Sequence, residues 1–174
     1  MLITEEYRKL QRQLHDNPNY GVASVSYAPL VADVMRQLGA TELLDYGAGK
    51  GRLGQTLREH IQTPLKIHHY DPAVPLWSNP PEPCQLVVCI DVLEHIEPEL
   101  LDNVLDDLKR VTLRHGIFTV HTEAALKLLP DGRNAHLIQR PPHWWLPRLM
   151  ERFELMVFNR MPMGFWVLVE RKPG

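Results

Sequence analysis

Residues 43–51 read Leu43-Leu44-Asp45-Tyr46-Gly47-Ala48-Gly49-Lys50-Gly51, and this stretch decides the fold. A short apolar run is followed at once by glycines at every second position, and Leu53, Leu57 and Ile61 then recur every four residues. The pattern reads as a buried strand, a tight turn and the apolar face of a helix. Such a turn lets backbone approach a ligand closely, and the helix N-terminus beside it offers free N–H groups to acceptors. Gly49-x-Gly51-x-x-Gly54 matches the dinucleotide fingerprint on spacing alone. Register argues against that match. The strand ends near Tyr46, so the tight turn belongs to Gly47, and a fingerprint begun there puts Arg52 where the third glycine should stand. A phosphate loop of the nucleotidase kind is excluded because Lys50 is followed by Gly51 rather than by Ser or Thr.

Working outward, strands are expected at 65–70, 85–90 and 116–121, each bounded by turn or helix signals. A helix separates the last two. Pro98 lies near its start between Glu97 and Glu99, Lys109 and Arg110 close it, and Leu100, Leu101, Val104, Leu105, Leu108 and Val111 form its apolar face. Toward the N-terminus, Tyr7, Leu10 and Leu14 keep helical spacing, as do Leu30, Val31, Val34, Met35 and Leu38, with Gly39 placed to end the second helix. Asp16 to Ser26, rich in Asn, Pro, Gly and Ser, reads either as a plain connector or as a loop folded over a neighbouring site. Toward the C-terminus, 153–159 and 165–170 are strand-like, and a link as short as Met161-Pro162-Met163-Gly164 requires them to pair antiparallel. Strands alternating with helices predict an α/β, doubly wound, mostly parallel sheet, here with a C-terminal antiparallel hairpin.

A chain of 174 residues fits one domain. It divides into N-terminal helices (1–40), a core (41–121) and a C-terminal segment with the hairpin (122–174). With 44% hydrophobic and 23% charged residues it belongs with ordered globular proteins rather than disordered or fibrous ones. A net charge of −2 gives no sign of a nucleic-acid or membrane partner. Residues 127–174, however, hold eight Lys or Arg against four Asp or Glu, so an anion-binding surface is expected there. Cys84 and Cys89 suit neither a disulfide scaffold nor a metal knuckle and are expected as reduced thiols. With no leader pattern at the start and no long apolar span, a cytoplasmic location is expected.

With its flanking carboxylates, the glycine turn resembles the first motif of the class I S-adenosylmethionine-dependent methyltransferases. That motif is an acidic residue two positions before a Gly-x-Gly-x-Gly turn, matched by Asp45, Gly47, Gly49 and Gly51. The family's second motif is an acidic residue closing the second strand, whose carboxylate accepts the ribose hydroxyls; Asp71 stands there, after Ile67-His68-His69-Tyr70. Asp91-Val92-Leu93-Glu94-His95 is similar to the segment that closes the cofactor pocket in quinone-type and other small-molecule methyltransferases. The resemblance covers residues 40–121. It implies a Rossmann-like methyltransferase fold and S-adenosyl-L-methionine as cofactor, held by Asp45, Gly47, Ala48, Gly49, Gly51, Tyr70, Asp71, Pro72, Asp91 and Val92. It also implies transfer of a methyl group to an oxygen or nitrogen of a small molecule. Only thirteen residues separate Asp71 from Gln85, five of them proline, where the family fits a helix and another strand. That edge strand is expected to be missing, leaving Leu76 or Trp77 either to cover the adenine or to pack on the sheet edge.

Two triplets, Asn79-Pro80-Pro81 and Pro83-Cys84-Gln85, resemble motifs of DNA methyltransferases, but they precede their strand instead of following it, at the edge away from the ligand side. The acceptor is expected at the C-terminal edge of the sheet, with His121 or His136 removing a proton as the catalytic residue. His95, Arg133, Asn134, Arg140 and Trp144 would bind the substrate, the arginines holding an anionic group. The arginines and Trp144 have a plainer alternative as surface and core residues. No metal is expected, because His68 and His69 point to opposite faces of a strand and no ligand pair has helical spacing. The expected partner is a small-molecule methyl acceptor, with no membrane and no nucleic acid; oligomeric state stays open. A non-catalytic S-adenosylmethionine-binding or regulatory module, a nucleic-acid methyltransferase and a nicotinamide-dependent oxidoreductase are the alternatives.

Overall fold

In the computed structural model, which describes residues 1–173, six strands form a single sheet in the order β2-β1-β3-β4-β6-β5. The strands are β1 (Glu42–Tyr46), β2 (Lys66–Tyr70), β3 (Cys84–Cys89), β4 (Thr112–His121), β5 (Phe153–Met161) and β6 (Gly164–Arg171). β1 pairs parallel with β2 and β3, and β3 with β4; β6 runs antiparallel between β4 and β5. Helices α1 (Glu5–His15), α2 (Ser24–Leu38), α3 (Arg52–His60), α4 (Leu101–Val111) and α5 (Pro142–Met150) complete the architecture. This is the expected α/β sheet with its C-terminal hairpin, and β2 is an edge strand because residues 71–83 contribute only a single 3-10 turn, Pro75–Trp77. Among the described residues no helix is long and apolar enough to cross a membrane.

The two-residue period of the strands sorts apolar side chains onto two faces. Leu44, Tyr46, Phe118, Val120, Phe165 and Val167 face α4 and α5, where they pack with Leu105, Trp145 and Phe153. Leu43, Val88, Ile117 and Leu168 face α2 and α3, against Val31, Met35, Leu53 and Leu57. A smaller cluster of Tyr7, Leu14, Leu129 and Ala135 fastens α1 to the segment after β4. The N-terminus of α1 is fixed twice: the Thr4 hydroxyl accepts from Tyr7 N–H at 3.2 Å and donates to Glu97 at 2.6 Å.

Several boundaries differ from expectation: α2 starts at Ser24, inside the expected 16–26 loop, and β5 runs to Met161, so Pro162 and Met163 alone link the hairpin. The α-helix begins at Leu101, with Pro98–Leu100 as a preceding 3-10 turn, and β4 begins directly at Thr112, four residues earlier than the apolar run at 116–121 suggests. Leu113 and Arg114 are exposed, so the first part of β4 has no continuous apolar signal. Both free thiols are buried.

Gly164 sits where β6 enters the sheet against His121, and a methyl group there would collide with the carbonyl oxygen of Val120. Backbone cannot rotate aside as a side chain can. Gly164→Ala is therefore expected to lower stability by about 1–3 kcal/mol, read as a lower denaturant midpoint at unchanged slope.

Candidate active site

The turn after β1 is built by positive backbone angles at Gly47 (φ 81), Gly49 (φ 50) and Gly51 (φ 66), so the tight turn falls at Gly47 as the register requires. A side chain at Gly47 would strike Val92, which arrives from the end of β3. The Tyr70 carbonyl accepts from Gly47 N–H at 2.7 Å and Ala48 N–H at 2.9 Å. Asp71, nearly buried, accepts from Gly49 N–H through Oδ2 and from Ala73 N–H through Oδ1, both at 2.9 Å. Each oxygen keeps a further lone pair. Asp45, 3% exposed, lies below the turn with its Oδ2 unpartnered and His69 Nδ1 3.6 Å away. Burial raises its pKa, and the nearby His69 partly offsets that.

These groups wall one cleft at the C-terminal edge of the sheet, where open α/β sheets bind ligands. It encloses about 920 Å³ of empty space, open solvent included. Asp45, Gly47, Ala48, Gly49, Asp71, Pro72, Asp91, Val92 and His95 all line it. Gly51 and Tyr70 do not: Gly51 lies under Trp77, and the Tyr70 ring packs on Tyr46 in the core. Leu76 is exposed and Trp77 stacks on His69 at 4.7 Å, so Trp77 packs on the sheet edge and neither residue covers the cleft. The Asn79-Pro80-Pro81 and Pro83-Cys84 segments enter β3 at its far end, away from the cleft.

The opposite wall comes from the N-terminus. Tyr7, Gln11 and His15 recur every four residues on α1 and face the cleft, a polar stripe whose spacing was readable but whose destination was not. Tyr7 donates to the His95 carbonyl at 2.6 Å and accepts from Gln11 at 2.6 Å, while Tyr20 donates to Gln11 at 3.1 Å. Burial pushes both tyrosine hydroxyls well above their ordinary pKa, keeping them donors. The loop at 16–23 folds over the site. Three cations grip its carbonyls: Lys50 donates to Asn17 (2.6 Å) and Tyr20 (2.8 Å), Arg52 to Pro18 (3.1 Å) and Lys127 to Asn19 (2.9 Å).

Beside the cleft three histidines pack in sequence, His95 edge-to-face on His136 and His136 tilted against His121, each pair with ring centroids 4.7 Å apart. His95 lines the cleft; His136, 6% exposed, and His121 stand behind it. Desolvation pulls the pKa of His95 down to about 4 and lowers that of His136. Asp91, held at φ 58 with its N–H donating to Thr119 Oγ1 at 2.9 Å, directs its carboxylate toward His95. Asp91, His95 and His136 offer one donor atom each, all within 4.8 Å of one another. Asp91 and His95 are spaced four apart across the 3-10 turn Leu93–His95, and the chain brings His136 to them from another loop, a juxtaposition the sequence reading did not name. Beneath them Glu94 is fully buried, its pKa raised by desolvation and then by Asp91, and its Oε1 accepts from His121 N–H at 2.5 Å.

The remaining expected substrate residues are elsewhere. Arg133 pairs with Asp131 at 2.7 Å and lies over the Tyr7 ring. Asn134 holds its own loop, accepting from Ala125 and His136 N–H and donating to the Ala125 carbonyl. Arg140 and Arg148 lie over the Trp144 ring at 5.9 and 3.7 Å, outside the cleft.

By sequence the chain matches no protein-family model and no curated protein. By structure it is similar to a 1,6-didemethyltoxoflavin-N1-methyltransferase of Burkholderia thailandensis, solved with its substrate and S-adenosylhomocysteine: TM-score 0.70, 15% identity, 99% of this chain and 92% of that one. Similar too are the magnesium protoporphyrin IX methyltransferase ChlM of Synechocystis, with bound SAM (TM-score 0.60, 14% identity, 94% and 90%), and the N-methyltransferase NodS of Bradyrhizobium japonicum, in complex with S-adenosylhomocysteine (0.61, 12%, 98% and 100%). The shared architecture is the Rossmann-like methyltransferase fold.

Removing one cation from the loop at 16–23 should loosen that loop alone. Lys50→Met is expected to speed amide hydrogen exchange at residues 17–21 about fivefold, the ratio set by roughly 1 kcal/mol of lost hydrogen bonding, with exchange in β4 unchanged.

Proposed function

We propose that this chain is an S-adenosylmethionine-dependent methyltransferase acting on an oxygen or nitrogen of a small molecule. The observation that carries the reading is the shared cleft: the glycine turn with Asp71, and Asp91 with His95, line it together, with His136 directly behind His95. The residues fit the cofactor. The turn excludes side chains where a ligand would lie against backbone, Asp71 keeps lone pairs for two hydroxyls, and the unpartnered buried oxygen of Asp45 lacks a donor that a bound ligand or its water can supply. The neighbours crystallised with S-adenosylmethionine or its demethylated product support the same choice.

When bound, S-adenosylmethionine supplies a methyl carbon already activated by its sulfonium. What the chain must do is place the acceptor in line with it. Such placement contributes about 7–11 kcal/mol, against about 3–5 kcal/mol for a general base that accelerates by 10² to 10⁴. In this reading Tyr7, Gln11 and Tyr20 close the cleft against water, and Asp91 and His95 meet the acceptor's polar atom. His136 and His121 back them, and the acceptor's proton leaves by this cluster. Arg133 and Arg140, which lie outside the cleft, would reach an anionic substituent only if that substituent extends past His95.

Two measurements test the reading. Calorimetry should give S-adenosylhomocysteine binding and none of NAD, and Asp71→Ala should weaken that binding at least tenfold, or about 1.4 kcal/mol. Unchanged affinity in Asp71→Ala would overturn the ribose role. Labelled methyl from the cofactor should then enter a low-molecular-weight compound in a metabolite extract. His136→Ala should slow that transfer at least tenfold while leaving affinity for S-adenosylhomocysteine intact. Binding without any transfer would leave a non-catalytic cofactor-binding module.

A further inference from the structure

Asp91, His95 and His136 come from two loops and meet at the inner wall of the cleft, with Asp91 Oδ2 4.0 Å from His95 Nε2. We propose that these three residues hold a divalent first-row transition-metal ion whose remaining coordination positions face the cleft.

The imidazole tautomers are the first argument. His95 Nδ1 lies 2.8 Å from the Ala135 carbonyl and His136 Nδ1 lies 2.7 Å from the Glu123 carbonyl. A carbonyl oxygen only accepts, so both Nδ1 atoms carry the proton, and in the neutral rings both Nε2 atoms present a bare lone pair. This is the outer hydrogen bond that fixes metal-ligating histidines in position. Charge is the second argument. Among the described residues no Lys or Arg pairs with Asp91, whose nearest basic atom is His95 Nε2. An ion would neutralise that carboxylate where no side chain does. Backbone strain is the third: among the described residues Asp91 is the non-glycine residue held at positive φ, a conformation costing roughly 1–3 kcal/mol, and its Oδ2 there lies 4.0 Å from His95 Nε2.

Distance permits the ion after closure of the two loops. Donors bound at about 2.0–2.2 Å in a tetrahedron stand about 3.3–3.6 Å apart, so the 4.0 Å between Asp91 Oδ2 and His95 Nε2 must contract by about half an ångström and a pair at the 4.8 Å limit by somewhat more than one. Two imidazoles and one carboxylate suit zinc, iron, cobalt, nickel or manganese in the divalent state, whereas magnesium and calcium favour all-oxygen sets. Three protein ligands leave positions open to an acceptor.

The consequence rests on the methyl-transfer reading. An acceptor hydroxyl bound to the ion gives up its proton more readily, and because the His95 and His136 lone pairs are engaged on the ion the proton passes to solvent instead of to those imidazoles. Its oxygen then bonds to the methyl carbon as the carbon–sulfur bond breaks, the sulfonium becomes a neutral thioether, and the ion's oxidation state is unchanged.

The test is a Co²⁺ titration of chelator-stripped wild-type protein, followed by visible ligand-field absorption and by ¹⁵N resonances of labelled histidines. The expected result is saturation at one ion per chain, displacement by Zn²⁺, and shifts at two histidines. His95→Gln and His136→Gln should each weaken binding at least tenfold, whereas His68→Gln, on β2, should not change it. The proposal is overturned if no binding saturates at one equivalent, or if binding survives both substitutions undiminished. Should a substituted chain fail to fold, the wild-type spectra decide. Shifts assigned to His95 and His136 support the site, and shifts confined to other histidines overturn it. S-adenosylhomocysteine binding to the stripped protein separates the two readings. If it binds but the metal does not, only the metal site falls; if it does not bind, the methyltransferase reading falls whatever the ion does.

Discussion

The buried carboxylate of Asp71 is the constraint on which the cleft depends. One oxygen holds Gly49 N–H in the turn after β1 and the other holds Ala73 N–H after β2, so the two parallel strands end in one hydrogen-bonded junction. Hydrogen bonds to a charged group contribute about 1.5–3 kcal/mol each. The Tyr70 carbonyl adds two more bonds from Gly47 and Ala48. Together they fix a turn whose three glycines all take positive φ, which in turn sets where α3 begins and leaves Lys50 and Arg52 pointing at the loop that covers the site.

That loop and the histidine cluster are consequences of long-range packing. α1 is fastened to the segment after β4 through Tyr7, Leu14, Leu129 and Ala135, and this same contact carries His136 to His95. The Ala135 carbonyl sets the His95 tautomer, so the residue before one imidazole orients the other. The Asn134 side chain, bonded three times within its own loop, keeps that arrangement rigid. A site assembled in this way needs α1, β3 and the 123–136 loop at once, and none of them carries the chemistry alone.

This explains what could be read from the sequence. The strand–turn–helix unit and the terminal hairpin were legible because each depends on spacing within about twenty residues, and the parallel pairing because strands alternate with helices. The carboxylates Asp45, Asp71 and Asp91 were legible because they close strands. Tyr7, Gln11 and Tyr20 were not, since their partners lie as far along the chain as the His95 carbonyl. Arg133, Arg140 and Trp144 looked like substrate groups, yet Asp131 occupies the first and Arg148 competes for the face of the third. The grouping of Asp91 and His95 with His136 was hidden because the first two lie on a 3-10 turn and the third reaches them only through the fold.

The shortened crossover between β2 and β3 follows the same logic. Parallel strands need a connection of about a dozen residues, and 71–83 meets that minimum without a helix. The segment closes on itself instead: Asp71 N–H donates to the Trp77 carbonyl, Trp77 N–H to that of Val74, and Val74 N–H to that of Asp71. This loop presses the Trp77 ring onto His69 and over Gly51, so a missing helix and strand are replaced by one indole. β2 is thereby left as the sheet edge, where an unpaired ladder invites another chain. Lys66 and His68 both pair with Glu42 on this exposed end, placing charge along an edge that an apolar strand would otherwise offer for association. The cleft gains as well: with Trp77 turned away, the wall after Asp71 is made of Pro72 and Ala73, small side chains that leave room beside the carboxylate.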